Sequence, residues 1–427
     1  MAEYVLRRVQ TDDVMFGDKT GFTGRILHVH ARELQDYLLQ DRHLQSVEIA
    51  IARPGESKRI IPVKDVIEPR IKIGDEHGQV FPGFSGKVHT VGRGTTAVLD
   101  GVAVVTCGRM VHFQEGLIDM CGHGAEFTLF SKKINLILVM EPVAGLSKEA
   151  HEQAVREAGL RAAGYLAEQA IADAPDYEEE RYPLTELHVQ TDLPRVVYIN
   201  LTIAQGLLHD NYYYGVNAQG CLPCLMTPTE VFDGAVVSGN CAAPCHKHTT
   251  YHQQNNPIVE DLLQEHGKSL WLTGMIVSPV KTALAEKDRN CSQVLKLARM
   301  LQAEGAIISE DGGGNPETDL MTLARLFEGE GIKTVLVTDE YAGRDGGSPG
   351  LADVTREADA IVTNGNGNQY VTLPPMDETI GHLEAIRSIT GGNPGSLRDD
   401  GSIEMEIAGI MGSTVELGAE HLTTIAV

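Results

Sequence analysis

The sequence predicts an α/β protein with a β-rich N-terminal region followed by a C-terminal doubly wound parallel sheet. Before about residue 145, short apolar or alternating runs recur between turn residues, as strands do. From about Leu270 onward, continuous apolar runs alternate with helical periodicity, the pattern of a buried parallel sheet with covering helices. The 427 residues then divide into a β-rich domain (1–145), an α/β region (146–267) and a Rossmann-like α/β domain (268–427).

The N-terminal strands are expected where apolar residues cluster or alternate with polar ones. One helix interrupts them, with Leu34, Leu38 and Leu39 on a common face. The predicted strands are Arg25–Val29, Ser46–Ile51, Ala97–Leu99, Val102–Val105 and Ile134–Val139.

The middle of the chain begins with helical periodicity. We predict a helix over about 147–171 with Ser147 as its N-cap, because a serine hydroxyl accepts a free N–H group of the first turn. The charged run Asp173–Glu180 is typical of a solvated linker. Beyond it, Arg195–Leu201 has the composition of a buried strand.

The C-terminal region supplies the alternating elements of the predicted sheet. Helices are expected over about 292–303 and 318–327, the second with Asn315 as N-cap and Pro316 at its first position. The predicted strands are Leu270–Val277, Ala306–Ser309, Lys333–Thr338 and Ala360–Thr363.

Polar residues that follow these strands are candidates for substrate binding, because open α/β sheets bind ligands beyond the carboxyl ends of their strands. Glu310, Asp339 and Glu340 lie at such ends, and the Arg344 guanidinium suits a carboxylate. Ordinary turns and a structural ion pair account for these residues equally well.

His209 is a candidate catalytic residue because it lies beside Asp210 in a loop after a predicted strand. An imidazole next to a carboxylate is a common acid/base pair. A surface histidine beside an unrelated carboxylate is an equally good account.

A short stretch past the middle of the chain has a distinct chemical option. Apolar residues run into Ser238, Gly239, Asn240 and Cys241, like a strand entering a tight turn. A cysteine held there can attack the preceding carbonyl carbon and form a thioester. Loss of sulfur leaves dehydroalanine, which hydrolyses to a pyruvoyl group, a ketone that forms a Schiff base with an amine. Taken alone the motif is weak, and a turn followed by a structural cysteine is the commoner explanation.

The same region contains cysteines that would be read as metal ligands in another context. Cys221 and Cys224 form a CxxC pair, followed by Cys241, Cys245 and two histidines. The spacing does not match a recognised four-ligand zinc site, so we predict no metal. The alternative is an unprocessed metal-binding or scaffold protein that uses these four thiols.

Composition excludes several classes of partner. The net charge of -24, from 59 acidic and 35 basic residues, argues against binding to a nucleic-acid backbone. Met1–Arg8 lacks the apolar core of a signal peptide, and no apolar run reaches the ~20 residues that cross a bilayer. An odd number of cysteines, 7, suits a reducing compartment. We therefore expect a cytoplasmic protein without nucleic-acid or membrane partners.

Longer stretches spread along the chain are far more specific than the short motif. They are Val47–Ser57, Arg59–Arg70, Phe113–Gly116, Gln205–Asp210, Pro228–Val231, Asp233–Cys241 and Thr338–Gly346. In these stretches the sequence resembles the component B α/β proproteins of clostridial-type glycine reductase and of its sarcosine and betaine counterparts. Proline reductase, another pyruvoyl protein, is a more distant resemblance.

The resemblance implies an oxidoreductase of anaerobic amino-acid fermentation that works in a multi-protein complex. It implies autocleavage between Asn240 and Cys241, with a Cys241-derived pyruvoyl group as the cofactor for reductive deamination. The implied partners are a selenocysteine-containing component B subunit, the small selenoprotein A and the acetyl-phosphate-forming component C. The residues do not distinguish glycine, sarcosine and betaine as substrates.

Overall fold

The computed structural model describes residues 3–110, 115–185, 191–205, 211–239 and 248–417. Strands and helices are mixed along the chain, and the strands form several sheets. The α/β class that the sequence predicts is therefore confirmed. Among the described residues, no helix has the length and apolar character that a bilayer crossing requires.

The N-terminal region is rich in strands, as predicted. Its elements in chain order are β1 (Glu3–Gln10), β2 (Asp13–Phe16), β3 (Gly21–Thr23), β4 (Ile26–Val29), α1 (Ala31–Leu38), β5 (Leu44–Ala52), β6 (Lys58–Ile67), β7 (Arg70–Ile73), β8 (Gly78–Gln79), β9 (Gly94–Asp100), β10 (Val102–Gly108), β11 (Gly116–Asp119) and β12 (Ile134–Pro142). Each strand predicted here overlaps an observed one. In α1, Leu34 and Leu38 are buried, but Leu39 is the C-cap and is exposed.

The middle region combines helices with short strands. Its elements are α2 (Lys148–Ala170), β13 (Tyr177–Pro183), β14 (Arg195–Ile203), β15 (Asn211–Tyr213), β16 (Val216–Asn217), β17 (Cys224–Met226), β18 (Val236–Ser238), α3 (Thr250–Gln254) and α4 (Pro257–Glu265). The Ser147 side chain accepts a hydrogen bond from the Ala150 N–H, so the predicted N-cap of α2 is confirmed. The helix packs against β7 and β10, which belong to different sheets.

The prediction of a solvated linker over Asp173–Glu180 is wrong for its second half. There the chain forms β13, which pairs antiparallel with β1. Arg7 Nε donates to Glu179 Oε1 at 2.8 Å, and Arg8 Nε donates to Glu180 Oε1 at 2.8 Å. The acidic run is drawn into a strand because arginines on the neighbouring strand offset its charge, a cross-strand effect that the local pattern does not contain.

The last region carries the longest strands of a predominantly parallel sheet. Its elements are β19 (Trp271–Val280), α5 (Leu284–Met300), β20 (Gly305–Ser309), α6 (Asn315–Gly329), β21 (Lys333–Glu340), β22 (Ile361–Asn366), β23 (Tyr370–Leu373), β24 (Glu378–Gly381) and β25 (Ile403–Glu406). All four predicted strands are present. Helix α5 begins earlier than predicted, and α6 has Gly314 rather than Asn315 as its N-cap.

Three larger sheets organise the described residues. Two N-terminal sheets have the orders β13-β1-β9-β7-β8 and β11-β6-β10-β12-β5, and β24 pairs with β6 at the second. The third has the order β17-β19-β14-β20-β21-β22, in which β17 is antiparallel and the others are parallel. Helices α5 and α6 contact each other beside this sheet. The doubly wound arrangement and the boundaries of the three domains stay predictions.

Buried Asp233 ties the first sheet to the segment that enters β18. Its carboxylate accepts hydrogen bonds from Lys72 Nζ at 3.0 Å, Tyr4 OH at 2.9 Å, Thr96 Oγ1 at 2.6 Å and the Gly92 N–H at 2.8 Å. The Lys72 and Asp233 side chains are fully buried. Because four donors converge on one carboxylate, this charge is well compensated inside the protein.

We expect Asp233→Ala to destabilise the fold by about 3–5 kcal/mol, because it leaves the Lys72 ammonium buried without its partner. Urea-induced unfolding followed by circular dichroism measures this loss. The control is Lys333→Ala, which removes an exposed partner of Glu328 and should leave the unfolding midpoint nearly unchanged. Equal midpoints for the two variants would contradict a central role for Asp233.

Candidate functional site

The candidate site lies at the carboxyl ends of the parallel strands β20 and β21. Glu310 and Asp311 directly follow β20, and Asp339 is near the end of β21. All three side chains are buried. Parallel strands bring their carboxyl ends to the same edge of a sheet, so the sequence pattern predicts this convergence.

A carboxylate–imidazole cluster, consisting of His248, Asp311 and Glu416, occupies this position. One nitrogen or oxygen atom of each side chain lies within 4.8 Å of the others. His248 Nε2 is 2.7 Å from Glu416 Oε2. The Gly312 N–H donates to Glu416 Oε1 at 2.9 Å, and Asn211 Nδ2 donates to Asp311 Oδ2 at 3.3 Å. These bonds hold the cluster in one arrangement.

Burial dominates the protonation of the groups at this site. It raises the pKa of Glu416 well above the usual value, and the neighbouring Asp311 raises it further. Burial also raises the pKa of Glu310 well above its usual value. Burial lowers the pKa of His248, so its neutral form is favoured. An anion is costly in such surroundings unless a proton or a cation compensates it.

The segment 414–416 contacts residues at the carboxyl ends of three adjacent strands. Thr414 Oγ1 donates to Asp339 Oδ2 at 3.2 Å, at β21. Asn364 Nδ2, on β22, donates to the Val415 carbonyl at 2.7 Å. Glu416 Oε1 accepts a hydrogen bond from the N–H of Gly312, which follows Asp311 after β20. The segment therefore crosses the carboxyl ends of β20, β21 and β22 and delivers Glu416 to the cluster.

A hydrogen-bonded bridge fixes the described residues on both sides of 240–247. The Ser238 N–H donates to Thr250 Oγ1 at 3.1 Å. Thr250 Oγ1 donates to Asp65 Oδ2 at 2.6 Å, and the Thr250 N–H donates to Asp65 Oδ1 at 2.9 Å. Asp65 belongs to β6, so a strand of the second N-terminal sheet positions the end of β18 and the start of α3.

The same flanks adjoin the carboxylate–imidazole cluster. Ser238 pairs with Asn211 across β18 and β15, and Asn211 is the hydrogen-bond partner of Asp311. On the other side of 240–247, His248 is itself a member of the cluster. Ser238 is therefore linked to the cluster through Asn211, and His248 belongs to it directly.

The sequence-predicted site residues separate into three groups. Asn240, Cys241 and His209 lie outside the described residues. Glu310 and Asp339 are buried at the carboxyl ends of β20 and β21, and their predicted roles in substrate binding stay predictions. Sequence reasoning did not select Asp65, Thr250 or Glu416 because each acts through residues far away in the chain.

The side chains of Glu340 and Arg344 contact Thr363 in β22 and Tyr370 in β23, respectively. Thr363 Oγ1 donates to Glu340 Oε1 at 2.6 Å. The exposed Arg344 guanidinium lies 3.7 Å from the ring centroid of Tyr370 and also donates to its hydroxyl. Their predicted roles in substrate binding stay predictions.

Cys221 and Cys224 are free, partly buried thiols. Cys221 Sγ is 3.5 Å from the Asn217 carbonyl oxygen, and Cys224 Sγ is 3.6 Å from that of Leu225. Burial raises the pKa of both thiols. This disfavours the thiolate form that zinc binds.

Comparisons with known proteins agree on the family. The profile described as glycine/sarcosine/betaine reductase component B subunits matches residues 3–425. The chain is 48% identical over 416 residues to "Glycine reductase complex component B subunits alpha and beta" of Acetoanaerobium sticklandii, covering 96% of each chain. It is 45% identical over 421 residues to "Sarcosine reductase complex component B subunit alpha" of Peptoclostridium acidaminophilum, covering 98% of each.

A betaine relative is less similar. "Betaine reductase complex component B subunit alpha" of Peptoclostridium acidaminophilum is 37% identical over 414 residues, covering 92% of this chain and 93% of the relative. No solved structure gives a significant match. The chain belongs to the glycine/sarcosine/betaine reductase component B family. It is thereby classed as an oxidoreductase subunit of a multi-protein complex.

Proposed function

We propose that this chain is a proprotein that cleaves itself between Asn240 and Cys241 and then serves as the substrate-binding part of component B. Cleavage yields fragments of 240 and 187 residues, the second starting with a pyruvoyl group derived from Cys241. The substrate is glycine, sarcosine or betaine, the three compounds named in the relatives. A pyruvoyl carbonyl supplies an electron sink that weakens the substrate C–N bond.

One observation carries this proposal. A relative whose name gives two subunits, alpha and beta, aligns with this single chain over 96% of its length. One chain that supplies two subunits requires a break in the backbone. The motif Gly239-Asn240-Cys241, predicted to form a turn, is the place where the sequence offers chemistry for such a break.

The proposed cleavage is balanced in atoms and charge. The Cys241 thiol adds to the Asn240 carbonyl carbon, and the C–N bond breaks to leave a thioester and a free amine. Removal of the Cys241 Cα proton breaks the C–S bond and leaves dehydroalanine with an Asn240 thiocarboxylate. Two water molecules then release ammonia and hydrogen sulfide, which leaves a pyruvoyl group and an Asn240 carboxylate. No external oxidant or reductant is required.

The geometry of the described flanks supports cleavage at this position. Because Asp65 and Thr250 hold Ser238, the chain enters the reactive turn from a fixed point. His209 is our candidate for the base that removes the Cα proton. It lies two residues before Asn211, which contacts the carboxylate–imidazole cluster. Pre-organised attack geometry of this kind contributes strongly to rate.

We assign substrate binding to the polar residues at the strand ends. The buried Glu310 and Asp339 carboxyl groups face a cationic or protonated amine, and Glu340 adds a third carboxyl group nearby. Arg344 is the candidate partner of the substrate carboxylate. In this role the chain acts in the cytoplasm with a selenocysteine-containing component B subunit, the small selenoprotein A and the acetyl-phosphate-forming component C.

The processing proposal is tested by denaturing intact-mass spectrometry of protein purified anaerobically from its native host. We expect two masses that correspond to 1–240 and 241–427. The second fragment should resist Edman degradation and react with a hydrazide, because it begins with a ketone. Cys241→Ala should give one full-length mass and no hydrazide labelling. A single full-length mass for the wild-type chain in an active complex would overturn the proposal in favour of a scaffold or metal-binding protein.

A second prediction concerns the bridge beside the cleavage point. Thr250→Val removes the hydroxyl that joins Asp65 to the Ser238 N–H, and we expect cleavage to slow by about 10-fold or more. The matched control is Thr250→Ser, which retains the hydroxyl and should cleave at nearly the wild-type rate. The fraction cleaved is measured against time after synthesis by gel electrophoresis. Equal cleavage rates for the Thr250→Val and Thr250→Ser variants would show that the bridge has no part in processing.

A further inference from the structure

The carboxylate–imidazole cluster lies in surroundings with a surplus of hydrogen-bond acceptors. Three acceptor oxygens, Asp311 Oδ1, Glu310 Oε2 and Asn211 Oδ1, are buried without a hydrogen-bond partner in the described part of the chain, and His248 Nδ1 is also unpaired there. Their residues are all at most 1% exposed. Buried polar atoms are normally paired, so several orphaned acceptors in one place indicate a missing electropositive group.

The described residues do not supply that group as a charged side chain. Among the described residues, Asp311 accepts a hydrogen bond from the neutral Asn211 amide, and Glu416 contacts the Gly312 N–H and the His248 ring. By contrast, the buried Asp233 and Asp119 carboxylates pair with Lys72 and Arg59. The cluster therefore differs from these two buried acids, each of which has a cationic side chain as its partner.

The spacing of the cluster suits a small ion. Ligand atoms that surround one metal at bonds of about 2.0–2.2 Å lie only about 3–4.4 Å from each other. The three side chains of the cluster provide atoms within 4.8 Å of one another, and His248 Nε2 and Glu416 Oε2 are 2.7 Å apart. The spacing of these atoms is therefore close to that of ligands around one shared ion.

We propose that His248, Asp311 and Glu416 bind one divalent transition-metal ion of the Zn²⁺ or Mn²⁺ class. One imidazole and two carboxylates form a mixed nitrogen and oxygen ligand set that such ions accept. Asn211 donates to Asp311 Oδ2 at 3.3 Å and so orients one of the three ligands. The imidazole favours a metal over an ammonium ion, because a neutral imidazole nitrogen is a strong metal ligand. This site is independent of the proposed cleavage, which requires no metal.

The experiment measures metal binding directly. The full-length protein is stripped with a chelator, titrated with Co²⁺ under anaerobic conditions, and followed by visible absorption and equilibrium dialysis. Intact mass records whether the sample is cleaved. We expect one Co²⁺ per chain, displaceable by Zn²⁺, with a visible d–d spectrum and no intense near-ultraviolet thiolate band. Glu416→Gln and Asp311→Asn should each weaken Co²⁺ binding by about 10- to 100-fold or more.

The controls separate this site from its alternatives. Glu328→Gln makes the same substitution at a carboxylate that pairs with Lys333, and it should bind Co²⁺ as the wild type does. Circular dichroism confirms that each variant is folded, and if Glu416→Gln does not fold, Asp311→Asn decides. The proposal is overturned by the absence of stoichiometric binding or by binding unchanged in a folded cluster variant. It is also overturned if the spectrum shows thiolate ligation that the double variant Cys221→Ser/Cys224→Ser abolishes.

Discussion

The bridge from Asp65 through Thr250 to Ser238 is the interaction on which the arrangement of the candidate site depends. One carboxylate on an N-terminal strand accepts two hydrogen bonds from the first residue of α3. The same threonine hydroxyl accepts the backbone N–H at the end of β18. Two chain segments separated by the stretch 240–247 are thereby held to a common point. Moving either segment would break some of these hydrogen bonds and leave buried polar groups without these partners, which costs free energy. The bridge therefore restrains the backbone on each side.

The second constraint is the concentration of acids at the strand ends. Glu310, Asp311, Asp339 and Glu416 are all buried there, although ionised carboxylates strongly disfavour burial. At Asp233 and Asp119 a lysine and an arginine offset this cost. At the strand ends, the hydrogen-bond partners of the carboxyl groups are threonine hydroxyls, a backbone N–H group and one histidine. Such an arrangement retains carboxyl groups that can accept a proton or a cation, which is a property of functional sites.

The local pattern of the chain predicted much of the fold and two of the buried acids at the strand ends, Glu310 and Asp339. Strands with continuous apolar runs and the capped helix α2 were found because neighbouring residues alone determine these signals. Glu310 and Asp339 followed from the rule that parallel strand ends converge. Glu416 could not be found this way, since it reaches the site from the far end of the chain. The strand β13 was missed because its acidic residues are stabilised by arginines on β1, more than 160 residues earlier.

The sequence by itself determined the family and the α/β class, and it contains the cleavage motif that we propose around Cys241. These depend on residue identity and on short-range periodicity, which are present in the chain before it folds. Only the tertiary structure decided which distant residues share a site. It placed β14 among strands that follow it by about 70 residues or more, joined β24 to β6, and brought His248, Asp311 and Glu416 together. The physical reason is that these contacts form between groups far apart in the chain, where burial and hydrogen bonding of the whole molecule select the partners.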